Sequence, residues 1–268
     1  MAVPSIDLSH LRVLVTGGGG TGVGGGVCQV LSACGAQVIV NDIDPVRAEE
    51  AAHRYPGAVA IAGDISQAKD IERLFETVNQ AHGSVNGLVN NAGVGLSKLA
   101  HEVSEAEFDR LYSIDIRGVW LASRAFVRQL LPTGQRGGIV NISSVHAYGT
   151  QARYAIYCSA KSAVEGLTKG MAIELGRHGI RCNAIGPGYV HAEQNYDLIR
   201  TWAEDPEQWV QDFIQNQQAI PSVIDAVDCG HTAAFLLSDL SQAITGQCIY
   251  VDKGTTIMLL NKDFTEPS

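Results

Sequence analysis

The stretch TGGGGTGVGGG, residues 16–26, decides the fold of this chain. An apolar, β-branched run over 12–16 leads straight into it, and the helical spacing of Val27, Val30 and Leu31 follows straight out of it. Strand, tight turn and helix thus succeed one another without a linker. Glycines at such a turn let the backbone come close to a pyrophosphate, and the unpaired N–H groups at the helix start, with the helix dipole, attract its negative charge. Gly17, Gly20, Thr21, Gly22 and Val23 are the residues of this turn expected to bind the cofactor. A glycine run alone also suits a plain flexible loop; the flanking strand and helix give this one its meaning.

Downstream, short β-branched runs over 37–41, 58–62, 87–90 and 138–143 alternate with longer helical patterns, and 180–185 and 248–251 close the series. Apolar strands separated by crossover helices predict a parallel sheet covered on both faces. The expected fold is α/β: a doubly wound, Rossmann-like sheet in three α/β/α layers, forming a single domain over 1–268. With 268 residues and 46% hydrophobic content, one core suffices, burying roughly three quarters of the surface of the unfolded chain. The segment 189–222 breaks the alternation, being long, polar and aromatic. Asp205 is suited to cap a helix there and Pro206 to its first turn, which sets Trp209 and Phe213 four apart on one face. Its polarity and its place after Pro187 and Gly188 predict a mobile lid, with the next helix starting near Asp225.

Asp42 ends the second strand, twenty residues after Gly22. A carboxylate there accepts hydrogen bonds from the ribose of a dinucleotide; the alternative is a surface cap on the next helix. The same carboxylate repels the 2'-phosphate of NADP, and neither Thr21 nor Ile43 supplies a compensating cation. NAD is therefore the expected cofactor.

Nineteen basic against 28 acidic residues leave a net charge of -9, so no footprint for nucleic acid or an anionic membrane is visible. The N-terminus lacks a basic region followed by an apolar stretch, and nowhere do eighteen apolar residues run together. The six cysteines form no CxxC pair, which favours reduced thiols over a disulfide framework or a metal site. A cytoplasmic location, a small-molecule substrate and no metal are expected.

The chemistry rests on three side chains. Tyr157 and Lys161, at i and i+4, share one helix face, so an ammonium stands near a phenol and favours its phenolate form. Tyr157 is then a candidate general base for oxidising an alcohol. Ser144 follows the strand over 138–143 and belongs at the carboxyl end of the sheet, where ligands bind; its hydroxyl is a candidate to hold the substrate oxygen. A tyrosine and lysine at this spacing are usually only a helix surface, and the case lies in the coincidence of signals.

These signals coincide in one family. TGGGGTGVG (16–24), Asp42, Asp64 and Ile65, NNAG (90–93), NISS (141–144), YCSAK (157–161) and NAIGPG (183–188) resemble the motifs of the short-chain dehydrogenase/reductases, over nearly the whole chain. The resemblance implies that Ser144, Tyr157 and Lys161 are catalytic and that Asp64 and Ile65 adjoin adenine. It places Asn91, Ala92 and Gly93 along the cofactor and Pro187, Gly188 and Val190 beside the nicotinamide, with Tyr157 and Lys161 also contacting it. It further implies a homotetramer, or a dimer, and a substrate loop at 189–222.

Three departures accompany it. Four residues, not three, separate Gly17 from Gly22; Asp115 stands where the family has a catalytic asparagine; and Ala192 replaces a threonine that usually anchors the carboxamide. An ionised carboxylate at 115 is expected to favour the ammonium form of Lys161. His146 and Tyr189 are added as candidate substrate contacts. Two other readings are a nicotinamide-binding regulatory or structural module and an NADPH-dependent 3-oxoacyl reductase. Intact Ser144, Tyr157 and Lys161 oppose the first; Asp42 and the lack of a basic docking patch oppose the second.

Overall fold

The computed structural model describes residues 6–258; the remainder of the domain expected over 1–268 lies outside the described residues. Seven strands, β1 (Arg12–Thr16), β2 (Gln37–Asp42), β3 (Val59–Ala62), β4 (Gly87–Asn90), β5 (Gly137–Ile142), β6 (Ile180–Pro187) and β7 (Cys248–Val251), form one sheet in the order β3-β2-β1-β4-β5-β6-β7. Every pairing is parallel. The order reverses between β1 and β4, which opens a crevice at the carboxyl edge of the sheet, the place where such folds bind ligands.

Strand alternation supplies two cores. Val13, Val15, Val38, Val40, Val89 and Val140 point to one face, while Leu14, Ile39, Leu88 and Ile139 point to the other. On the first face lie α1 (Val23–Ala33), α2 (Pro45–His53) and α9 (Ala226–Leu237); on the second lie α3 (Ala68–His82), α5 (Val119–Leu130) and α6 (Ala155–Leu175). Both faces of each central strand are dry, which is why the strands read as continuous apolar runs. The remaining helices are α4 (Glu105–Tyr112), α7 (Glu193–Ile199) and α8 (Pro206–Gln217).

Strand ends move slightly from their sequence positions. β2 extends through Asp42 and β6 through Pro187, because their neighbours' ladders continue opposite them. β5 begins at Gly137 and releases Ser143.

The glycine run divides. Residues 17–22 make the turn, while Gly24, Gly25 and Gly26 lie inside α1. Interior glycines weaken a helix by roughly 0.5–1 kcal/mol each, but Gly26 and Gly230 let α1 and α9 cross in close contact. A side chain on Gly26 would strike Ala226, and one on Gly230 would strike the backbone of Gly26.

Caps fix the insertion as read. Asp205 accepts from Gln208 N at 3.0 Å with Pro206 in the first turn, and Asp225 and Asp228 form a capping box at the start of α9. Asp44, not Asp42, caps α2, accepting from Val46 N at 2.9 Å. Among the described residues no helix is long and apolar enough to cross a membrane.

Candidate active site

At the reversal of strand order, Thr16 and Asn91 lock the ends of β1 and β4 together. Thr16 Oγ1 accepts from Asn91 N at 3.0 Å and Ala92 N at 3.1 Å, while the Asn91 amide donates to the carbonyls of Thr16 and Gly17 at 3.0 Å each. Gly17 takes a φ of +63°, and a Cβ on it would stand 2.8 Å from Ala92 Cα, so this position needs glycine twice over. Beside the turn, the Asp42 carboxylate is 6% exposed and accepts from Gly19 N at 3.1 Å and Asp44 N at 3.2 Å.

Between α4 and α5 the helix widens into a π turn, Ser113–Gly118, of the kind often found at functional sites. The turn carries Asp115 inward to complete burial. Its Oδ1 accepts from Val94 N at 2.8 Å, and its Oδ2 lies 2.9 Å from Lys161 Nζ. Lys161 also donates to the carbonyl of Ile142 at 3.3 Å, and its ammonium stands 5.5 Å from the centre of the Tyr157 ring. Burial disfavours the ammonium, yet Tyr157 and the Asp115 carboxylate outweigh it and hold the Lys161 pKa above its ordinary value. Gly93 makes room for the pair: a Cβ there would lie 3.0 Å from Asp115 Oδ2 and 3.3 Å from Lys161 Nζ.

Ser144 opens a 3₁₀ turn over Val145–Ala147, where its Oγ accepts from His146 N at 3.2 Å. His146 stacks on Tyr154 at 4.3 Å and meets the Tyr157 ring edge-on at 5.7 Å. Its Nδ1 pairs with the Thr150 hydroxyl at 3.0 Å, and burial lowers its pKa, which favours the neutral ring.

One cleft of about 570 Å³ runs across these groups. Its lining includes Gly17, Gly20, Gly22, Val23, Asp42, Asp64, Ile65, Asn91, Ala92, Gly93 and Asp115 at one end. Ser144, His146, Tyr157, Lys161, Pro187, Gly188, Tyr189 and Val190 also line it. Among the residues expected at the site Thr21 is the exception: it is exposed and outside the lining, because the lengthened glycine loop carries it to the surface.

The structure adds groups that sequence reasoning missed. Arg47, on the first turn of α2, lines the cleft with Asp42; the Pro45 helix start three residues after Asp42 was the available signal. Tyr154 and Gln151 join the lining, and Tyr154, three residues before Tyr157, was legible from helical spacing. Ala192 stands 3.6 Å from where a Cβ on Gly22 would be, so position 192 does border the glycine turn.

A nicotinamide dinucleotide fits this donor set. The turn is a glycine cradle that side chains would fill, the helix start behind it offers N–H groups, and the buried Asp42 carboxylate stands beside it.

Comparison with known proteins agrees. A family model described as enoyl-(acyl carrier protein) reductase matches residues 18–256. The chain is 34% identical over 247 residues to L-xylulose reductase of Homo sapiens, covering 92% of this chain and 97% of that protein. It is 32% identical over 252 residues to 2,5-dichloro-2,5-cyclohexadiene-1,4-diol dehydrogenase of Sphingobium indicum, covering 93% and 98%. A solved gluconate 5-dehydrogenase from Burkholderia cenocepacia, in complex with NADP and tartrate, superposes with a TM-score of 0.86 at 27% identity, covering 95% of this chain and 98% of that one.

Proposed function

The chain belongs to the short-chain dehydrogenase/reductase family, and on that premise we propose that it interconverts a secondary alcohol and its ketone with NAD(H). A bound nicotinamide supplies the hydride acceptor or donor. Ser144 holds the substrate oxygen through its hydroxyl. Tyr157 takes the hydroxyl proton in oxidation and returns it in reduction. Lys161, kept as an ammonium by Asp115, stabilises the phenolate of Tyr157 and reaches the cofactor ribose. One observation carries the reading: Ser144, Tyr157 and Lys161 line a single cleft with the glycine turn. Oxidation of a panel of secondary alcohols, followed by NADH absorbance in the parent and in Tyr157→Phe, tests it.

NAD is the cofactor we assign, supported by the buried Asp42 carboxylate, held by Gly19 N and Asp44 N beside the glycine turn, whose charge would repel a 2'-phosphate. Arg47 favours a second reading, acceptance of NADP, since it lines the same cleft as Asp42 and carries a positive charge. The ratio of kcat/KM for the two cofactors decides between them.

Residues 189–222 serve in this proposal as the substrate lid of one domain. Assembly as a homotetramer is supported by large apolar side chains left exposed on helices of one side, Trp120 at 44% and Ile173 at 82%; sedimentation equilibrium tests it. Six free cysteines suit a reducing, cytoplasmic location.

A further inference from the structure

The helix α8 carries two neighbouring apolar stripes. Val210 and Ile214 are 1% and 3% exposed and pack with Ile199 into a small core of their own. Trp209 and Phe213, one step round the helix, line the cleft, and Trp209 also packs against that core. Their rings stack on one another at 5.4 Å and an interplanar angle of 16°. Tyr189 leans on Phe213 at 5.7 Å, and Trp202 meets Trp209 edge-on at 6.1 Å while staying 44% exposed. The result is an aromatic wall along the cleft, in which Tyr189 and Trp209 also pack against the small core behind them and Trp202 is the exposed member. Apolar surface kept open inside a cleft marks the part of a ligand it covers.

The wall is also uncharged. Among the described side chains of 189–222 that line the cleft, none is ionised, and burial pushes the Tyr189 phenol up to about 12, so it stays neutral. Lys161 is already paired with Asp115. Arg47 and Arg110 come from α2 and α4, not from this wall. A carboxylate or phosphate pressed against such a surface would lose its water without gaining a partner. A flat ring gains offset or edge-on contacts with each aromatic it meets.

We infer that the reacting carbinol is carried on an uncharged flat ring, aryl or cyclic, which lies against the wall formed by Tyr189, Trp202, Trp209 and Phe213; this rests on the alcohol dehydrogenase reading above. The reacting carbon then faces Ser144 and Tyr157, which line the same cleft. Anionic substrates are disfavoured by the wall, and short aliphatic alcohols leave it bare.

The test compares 1-phenylethanol, 2-butanol and 4-(1-hydroxyethyl)benzoate with the full chain and NAD. The expected order places 1-phenylethanol at least about tenfold above both others in kcat/KM, a difference of about 1.4 kcal/mol. Phe213→Ala and Trp202→Ala should each collapse that ratio, mainly through KM, while NADH affinity stays within about twofold and so reports an intact fold. Trp202→Ala is the safer variant, as its indole is half exposed. Equal rates for the three alcohols, or an unchanged ratio in both variants, would overturn the inference while leaving the dehydrogenase reading intact. Preference for the benzoate, abolished in Arg110→Ala, would overturn it in favour of an anionic substrate. Binding is read separately, as quenching of tryptophan fluorescence when acetophenone is added to the NADH complex. Quenching without turnover of any alcohol would sink the dehydrogenase reading and keep the aromatic wall; absence of quenching would remove the wall.

Discussion

Lys161 Nζ lies 2.9 Å from Asp115 Oδ2, and the two side chains are 7% and 0% exposed. A buried ion pair of this kind costs dearly when one partner is lost, because the other charge stays behind in a dry site. Here the carboxylate also takes the N–H of Val94, so it ties the loop after β4 to the lysine of α6. Asp115→Asn keeps that acceptor and removes the charge. We expect it to retain activity within about tenfold of the parent and to lose roughly 1–3 kcal/mol of stability at pH 7, read by urea denaturation. Complete inactivity with normal NADH binding would show that the carboxylate has a chemical task of its own.

The same pair sets a pH window. Lys161 has a folded pKa above the ordinary 10.5, because Tyr157 and Asp115 outweigh the effect of burial. Its contribution to stability is therefore fully present below pH 10.5 and is lost as pH rises through the raised value. The stability gap between the parent and Asp115→Asn should be constant from pH 7 to 10 and should narrow above that. A gap that widens at alkaline pH contradicts the assignment of an ammonium. In kcat/KM, removing the carboxylate should move the loss attributed to the lysine to lower pH, by less than about one unit.

Tyr157→Phe removes the hydroxyl proposed to handle the proton and leaves the ring that faces His146 and Lys161. Turnover should fall by about 100-fold or more, with NADH fluorescence titrations nearly unchanged. Turnover close to the parent's would mean that another group moves the proton.

In the proposed reading, Asp42 and Arg47 pull cofactor choice in opposite directions. A 2'-phosphate beside Asp42 meets repulsion of up to about 4 kcal/mol per charge pair at an effective dielectric near 20, less after screening. Asp42→Ala should raise the NADP-to-NAD ratio of kcat/KM, and Arg47→Ala should lower it. If neither variant moves the ratio, neither side chain reads the ribose.

The insertion 189–222 holds α7 and α8 beside Tyr189, attached through the small core of Ile199, Val210 and Ile214. With so little buried apolar surface it should open locally at low cost. Amide exchange across it should be fast in the free protein and slow when NADH and a substrate ketone bind. Full protection without ligands would rule out a lid.

What the sequence determined by itself was local. The 12–16 strand, the glycine turn, the alternation of strands and helices, the Asp205 cap and the shared face of Tyr157 and Lys161 all depend on residues within one or two turns of each other, and periodicity and capping express them directly. Asp42 at the end of β2 belongs with these, as does the stacking of Trp209 and Phe213. Tertiary structure decided what distant segments do to one another. A π turn in one helix brings Asp115 to a lysine of another. Packing of α1 on α9 claims Gly26 for a helix crossing rather than for the turn. The start of α2 sets Arg47 in the lining of the cleft with Asp42, and the glycine turn leaves Thr21 exposed outside it. On α8, neighbouring apolar pairs are indistinguishable in sequence, and only packing against Ile199 buries Val210 and Ile214 while Trp209 and Phe213 reach the cleft. Hydrophobic burial is non-directional, so a pattern of apolar residues says that a face is covered, and the fold alone says by what.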